Sequence, residues 1–272
     1  MIIFYILTLL LTSISCSEKP PGTEVSMWQI FETSFESSNL YDNPVQDVKL
    51  MINFKSPKNH NYDVEAFWDG EKIWRVRFQP EMEGIWSYVS SCSDENNKGL
   101  HNKRGKFVCI ASNSTNSLYQ HGRIKISKDG YSLEHSDGTP FFWLACTAWN
   151  GALLSNDQDW EKYLNNRKSK GFTAIQFVTT QWRGCKTDIE DRTAFEGKER
   201  ITINPEFFQR LDKKFDAINK HGLLAAPVIL WAIKDELGLS PGYTLDEKQA
   251  IVLAIPEILC YVKGKELNYK KY

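Results

Sequence analysis

The sequence predicts a chain in two parts. An all-β sandwich spans residues 25–126, and the strand–helix units of an incomplete (β/α) barrel span residues 127–272. Three observations carry that prediction. Up to about Ile126, short runs of alternating apolar and polar residues follow one another with only turns between them. Beyond Tyr131, strand-length apolar runs alternate with helical spacing, the grammar of parallel βα units. The strands of this second part end in polar and aromatic residues, as the C-terminal face of a barrel does.

Residues 1–24 stand apart as a leader and tether. The apolar run from Ile2 to Leu11 in MIIFYILTLLLTSISCSEKPP is too short for a membrane span of ~20 residues. It has the form of a signal peptide. The small residues before Cys16 and the polar, Pro-containing stretch after it resemble a bacterial lipoprotein signal. That resemblance implies lipidation at Cys16 and a place outside the cytoplasm, in the periplasm or at the cell surface. Two features depart from the pattern: no Lys or Arg precedes the run, and Ser13 stands where an aliphatic residue is usual.

From Trp28 onward, WQIFETSF, VKLMINF, YDVEAFW, KIWRVRFQP, GIWSYVSS and GKFVCIAS each have the length of a globular strand. In KIWRVRFQP, Trp74, Val76 and Phe78 share one face, and Arg75, Arg77 and Gln79 the other. Asp69-Gly70 marks a hairpin. Many short strands with turns between them predict a sandwich. Cys92 and Cys109 either bridge neighbouring strands or remain free buried thiols.

In the second part, YSLEHSDGTPFFWLACTAWN predicts a hairpin around Asp137-Gly138 whose second arm continues as a buried strand, FFWLACTA. DWEKYLNNRKSKG predicts a helix with Trp160, Tyr163 and Leu164 on one face and Gly171 at its end. AIQFVTTQW is the next strand. INPEFFQRLDKKFDAINKHG predicts a helix capped by Asn204, with Pro205 in its first turn and Phe208, Leu211, Phe215 and Ile218 in one stripe. LLAAPVILWA is a third strand, and Thr244 with Glu247 is a capping box for a further helix. No glycine-rich turn follows the first strand, which argues against a nucleotide-binding doubly wound sheet. The strand ends hold Trp149-Asn150, Gln181-Trp182-Arg183 and Trp231, and Gln176 lies within the second strand.

Composition narrows the partners. Net charge is −1, and no long basic run precedes the C-terminal tail, which argues against nucleic acid or an anionic membrane surface; membrane contact is expected only through the lipid on Cys16. Nine Trp and eleven Tyr, several beside polar residues, fit a carbohydrate partner, since sugars stack their C–H faces on indoles and bond amides through their hydroxyls. Core filling is the alternative. No cofactor and no metal are expected: His101, His121, His135 and His221 have no ligand spacing, and no phosphate loop occurs.

Two resemblances extend this reading. FWDGEKIWRVRFQPEMEGIWSY, within Val25–Ile126, resembles the immunoglobulin-like domain that precedes the catalytic barrel in a group of bacterial glycoside hydrolases, as either a carbohydrate-binding module or a structural cap. FFWLACTAWNGALLS, DWEKYLNNRKSKGFTAIQFVTTQWRG and PEFFQRLDKKFDAINKHGLLAAPVILWA, across Gly138–Ala254, resemble the apiosidase-like glycoside hydrolase barrel, a TIM-type fold. The family carries an Asp-Thr-Ala-Trp motif in which Cys146 here takes the acidic position. The resemblance implies that Trp149, Asn150, Gln176, Gln181, Trp182, Arg183 and Trp231 line a sugar site, with Trp182 and Arg183 alternatively fastening the loop that follows.

Glycoside hydrolysis needs two carboxylates across the bond, and the resemblance places them on later strands. A complete barrel needs ~250 residues and rarely fewer than 200, more than follow Gly138. Asp188, Glu190, Asp191, Asp235 and Glu236 occupy loops and are expected as solvated charge, so the catalytic residues are left unassigned. The tail IPEILCYVKGKELNYKKY departs from the family pattern and is expected to mark a frameshifted or shortened chain; a genuine short strand EILCYV is the alternative. Two functions follow: an exported glycoside hydrolase, as a fragment, acting on plant cell-wall glycans such as apiose-bearing pectin, or a non-catalytic carbohydrate-binding lipoprotein.

Overall fold

A computed structural model describes residues 22–229 except 183, 198 and 199. Cys16 and the leader, Arg183, Trp231, Asp235, Glu236, Cys260, the helix expected at Thr244 and the C-terminal tail lie outside the described residues.

The first part runs β1 (Glu24–Ser26), β2 (Phe31–Glu36), α1 (Pro44–Asp47), β3 (Leu50–Lys55), β4 (Asn61–Glu65), β5 (Phe67–Trp68), β6 (Ile73–Phe78), β7 (Gly84–Cys92) and β8 (Arg104–Ile110). One sheet has the order β1-β8-β7-β3-β4 and another β2-β6-β5. Alternation decides which side chains meet between them. Leu50, Ile52, Phe54, Trp86 and Phe107 from the first sheet and Phe31, Phe35, Trp74, Val76 and Phe78 from the second form one core. Rings stack across the gap, Phe31 on Phe107 at 4.0 Å and Phe54 on Phe78 at 4.3 Å. Burial of each such ring contributes about 1.5–3 kcal/mol. Gly70, at φ 106, makes the expected turn between β5 and β6.

The strand register settles the two cysteines. Cys92 lies opposite Leu50, while Cys109 lies opposite Gly84, at the far end of β7. The two are roughly 27 Å apart along the strand, far beyond the ~7 Å that a disulfide allows between Cα atoms. Both are free, buried thiols. Burial pushes both thiols up, Cys109 to about 11.

The second part runs α2 (Ser117–Gln120), β9 (Ile124–Ile126), β10 (Leu133–His135), β11 (Pro140–Phe141), β12 (Ala145–Trp149), α3 (Gly151–Leu154), α4 (Asp157–Ser169), β13 (Ala174–Val178), β14 (Phe195–Glu196), β15 (Thr202–Ile203), α5 (Pro205–Lys220) and β16 (Leu224–Val228). β12, β13 and β16 pair in parallel in that order. α4 and α5 cover one face: Trp160, Leu164, Phe208, Leu211, Phe215 and Ile218 close over Ile175 and Phe177. Asn204 caps α5 through the Phe207 amide at 3.3 Å. On the other face, β9–β11 form a small antiparallel sheet whose Ile124, Leu133 and Phe141 pack on Ala145, Ala174 and Leu224. Those three residues open the three parallel strands, so the small sheet covers their N-terminal end. The division after Ile126 thus falls between two paired strands.

One expected strand divides. FFWLACTA does not run on as a buried strand. Phe142 is 74 % exposed, and Trp143 and Leu144 are also exposed. β11 belongs to the antiparallel sheet and β12 to the parallel one, so the chain must change sheets between them. Thr173 Oγ1 holds this crossing, donating to the Phe142 carbonyl at 2.6 Å and accepting from the Leu144 amide at 2.9 Å.

The two parts are fastened together. Arg77 points away from the sandwich core as expected, yet it is only 8 % exposed. Its guanidinium pairs with Glu32 and with Asp212 of α5, and lies over the Phe67 ring. Asn43 Nδ2 donates to the Ile201 carbonyl at 2.9 Å, and the Ile201 amide donates to Gln46 Oε1 at 2.9 Å. Val45 and Phe67 are buried in the core of the second part.

Candidate functional site

The C-terminal ends of β12, β13 and β16 lie side by side, because parallel pairing brings Trp149, Val178 and Val228 to the same end of the sheet. The register of β12 against β13 shifts between Thr147 and Trp149, a bulge. Trp149 takes φ 52 there. A bulky non-glycine residue in the left-handed region is a genuine outlier, held only where its surroundings over-determine it. Bulges that re-aim a side chain are over-represented next to active sites. Here the bulge sets the Trp149 indole edge-on to Trp182, with ring centroids 5.9 Å apart at 89°.

Asn150 starts α3 but makes no side-chain cap to it. Its Oδ1 instead accepts the Trp182 indole N–H at 2.8 Å. The Trp182 backbone pairs with Cys185 in both directions at 2.9 Å. Its ring covers Gly184 so closely that a Cβ there would sit 2.6 Å from it. Trp149, Asn150 and Trp182 therefore form one connected group at the strand ends, each half-buried. Trp182 fastens its loop and also stands beside Trp149.

Gln176 sits deeper. Its register partners are Thr147 and Ala226, and these three share the face not covered by α4 and α5. Thr147 is exposed, and its hydroxyl donates to Gln176 Oε1 at 3.3 Å. Thr147, which the sequence reading passed over, joins this candidate group; its alternation with Cys146 places it on the face of Gln176.

Other residues in this stretch are committed to structure. Thr179 and Thr180 are buried, with hydroxyls donating to the Val228 and Ile229 carbonyls at 3.3 and 2.9 Å. They knit the ends of β13 and β16 together. Gln181 Nε2 donates to the Phe195 carbonyl at 2.7 Å, and its Oε1 accepts the Ala194 amide at 2.8 Å. Both ends of that side chain hold the returning loop.

Asp188 is not solvated loop charge. It is 2 % exposed and accepts the amides of Glu190 and Arg192 at 2.9 Å, together with the Arg192 guanidinium at 3.1–3.2 Å. A buried carboxylate requires such partners. Glu190 is more exposed and pairs with Arg192 and Arg210 at 3.0 and 3.5 Å. Asp191 is exposed at a turn with φ 56.

Cys146 faces the other way from Thr147, into the core covered by α4 and α5. It adjoins Tyr163, whose phenol is pushed up by burial and by this thiol. The cysteine at the motif's acidic position therefore faces the core behind the strand-end group. Among the described residues, no three His, Cys, Asp or Glu side chains are grouped to hold a metal ion, and no helix is long and apolar enough to cross a membrane.

Comparison with known proteins agrees with this architecture. Residues 127–254 match the family model described as "Apiosidase-like, catalytic domain". Residues 24–93 match a domain of unknown function, DUF5060. The resemblance read from the three sequence blocks is borne out. A candidate glycoside hydrolase from Bacteroides vulgatus ATCC 8482 superposes with a TM-score of 0.70 at 23 % identity, over 91 % of this chain and 48 % of its own. The two share a fold, and this chain spans about half the length of that protein. A family 5 glycoside hydrolase from the same organism overlaps at 21 % identity and TM-score 0.35, over 40 % of this chain and 24 % of its own. A further glycoside hydrolase overlaps at 21 % identity and TM-score 0.39, over 55 % and 40 %. The search of curated proteins returned no match.

Proposed function

We propose, from the apiosidase-like match of residues 127–254, that the chain binds plant cell-wall glycans at its strand ends as part of an exported glycoside hydrolase. Apiose-bearing pectic side chains are the substrate that the family suggests. On this reading residues 127–272 are TIM-type barrel units, and residues 25–126 are an immunoglobulin-like cap. Residues 1–24 direct export, with lipidation at Cys16.

The observation that carries the proposal is the Trp149–Trp182 pair. A strained backbone holds one indole, and a hydrogen bond to Asn150 holds the other. Two fixed, perpendicular aromatic faces beside an amide suit a sugar ring, which offers C–H faces to indoles and hydroxyls to amides. Gln176 and Thr147 extend the polar floor along the open face. Arg183 and Trp231 join the site by sequence position. The two carboxylates that glycoside hydrolysis requires are assigned to no described residue.

Calorimetric titration of the full chain with neutral, apiose-bearing pectic side-chain oligosaccharides, free of galacturonate, tests the binding. The reading expects millimolar or tighter affinity, lost in Trp182→Ala. An absence of binding at ~10 mM ligand, weaker than the ~1 mM limit that −4.1 kcal/mol represents, would sink it. Release of reducing sugar separates a hydrolase from a carbohydrate-binding protein without turnover.

A further inference from the structure

A second basin lies on the outer face of the five-stranded sheet, remote in sequence from the strand-end group. Asn53 and Lys55 of β3, Ser87 and Val89 of β7, and Arg104 and Lys106 of β8 line it, over the Tyr88–Gly105 pair, and it is a shallow depression of about 470 Å³ open to solvent. Clefts that hold small ligands span ~300–1,000 Å³. The register arranges these residues in two rows across the strands. Lys55 lies opposite Ser87, and Ser87 opposite Lys106; Asn53 lies opposite Val89, and Val89 opposite Arg104. The backbones of Lys55 and Lys106 are thus two strand spacings apart, roughly 9.6 Å, with a hydroxyl between them.

All three cations are exposed, and among the described residues none has a carboxylate in salt-bridge range. Three acids flank the basin on the adjoining strands: Glu24 of β1 lies opposite Val108, and Asp63 and Glu65 lie on β4 opposite Asn53 and Met51. Asp63 accepts the Asn53 amide at 2.7 Å, and Glu65 pairs with Lys49 at 3.5 Å. The whole chain carries a net charge of −1, so this basic basin is a local feature and not a consequence of composition.

From this arrangement we infer that the outer sheet face binds a polyuronate, a linear polysaccharide bearing carboxylates on successive sugars. The choice of a sugar polymer rests on the carbohydrate reading above; the choice of an acidic one rests on the basin alone. Arg104 has the planar fork that matches a carboxylate in two parallel hydrogen bonds. Lys55 and Lys106 supply point charges on either side of Ser87, which bonds ring hydroxyls together with Asn53. Single-stranded nucleic acid is the poorer fit, because its binding grooves rely on exposed rings for base stacking, and the aromatic ring at this basin, Tyr88, is packed against Phe31, Phe35 and Phe54.

The test is affinity electrophoresis and calorimetry of the full chain with polygalacturonate, neutral dextran and single-stranded DNA. The inference expects retardation by polygalacturonate, none by dextran, and weakening as salt rises from 50 to 500 mM, since screening shortens the reach of exposed charges. The triple change Lys55→Glu, Arg104→Glu, Lys106→Glu is expected to weaken polygalacturonate binding at least about tenfold with an unchanged circular dichroism spectrum. The milder pair Lys55→Gln, Lys106→Gln, expected to weaken it severalfold, decides the matter if the triple variant does not fold. Trp182→Ala is expected to leave polygalacturonate binding in place, which separates failure here from failure at the strand ends. Undiminished binding in a folded charge variant, no binding by the native chain, or DNA binding as tight as polygalacturonate binding would each overturn the inference.

Discussion

The Trp182 indole N–H donates to Asn150 Oδ1 at 2.8 Å, joining the ends of β13 and β12. This one bond links residues 32 positions apart and fixes the orientation of the ring that stands against Trp149. Removing the acceptor leaves a half-buried donor unsatisfied. Asn150→Ala is therefore expected to cost about 1–2 kcal/mol of stability and to weaken pectic oligosaccharide binding more than Thr147→Ala does. Thermal denaturation and titration of the two variants check this; equal binding losses would mean that the indole orientation does not matter.

Gln181 acts on the loop. With both ends of its amide committed to Ala194 and Phe195, Gln181→Ala is expected to cost about 1–3 kcal/mol and to expose the 184–201 segment to protease. Gln181→Glu keeps the acceptor for Ala194 but loses the donor to Phe195, so an intermediate cleavage rate is expected. Wild-type protease resistance in Gln181→Ala would show that the two bonds do not hold the segment.

These cases mark what was legible in the sequence. Helix α5 could be read outright, because Asn204, Pro205 and the Phe208–Leu211–Phe215–Ile218 stripe are local signals that agree with one another. The strands around Trp74 and Ile175 were legible for the same reason. Gln181 reads from sequence as a strand-end polar group, and Thr179 and Thr180 precede it, but the partners of all three are carbonyls and an amide 13 to 49 residues away. No local pattern reports such a partner. Asp188 is similar: its burial depends on Arg192 and on the fold of the loop back over α3. Phe142 to Leu144 looked like strand because apolar runs do not reveal where a chain leaves one sheet for another.

The contact between the two parts is expected to matter for stability. Arg77 is a buried guanidinium between Glu32 and Asp212. Removing one partner of a buried pair costs about 3–5 kcal/mol where the other charge is left uncompensated; Glu32 still faces Arg77 without Asp212, which brings the cost to about 1–3 kcal/mol. Asp212→Ala is expected to fall in that range in urea unfolding, while Asp63→Ala on the exposed face changes stability by less than about 0.5 kcal/mol. Similar values for both would mean that the parts are not coupled through Arg77.

Acid is expected to act on the small sheet. Burial alone would raise the Asp137 carboxyl, but the Thr139 amide and His121 outweigh it and bring it down to about 2. A carboxyl depressed in the fold stabilises it above the unfolded value near 3.9. That contribution is lost as pH falls toward about 2. Amide exchange at Thr139, which donates to Asp137 at 2.9 Å, should therefore accelerate between about pH 4 and pH 2 beyond its intrinsic dependence, and Asp137→Asn should flatten the change. A native profile identical to that of Asp137→Asn would rule out the carboxylate as the cause.

The central claim is that the strand-end indoles are a sugar site, and a crystal structure of the full chain soaked with a pectic oligosaccharide tests it most directly. The account predicts a sugar ring with carbon atoms within ~4 Å of both Trp149 and Trp182, the distance of apolar contact, and a hydroxyl bonded to Gln176 or Thr147. Sugar density found only elsewhere, with Trp149 and Trp182 bare, would contradict it.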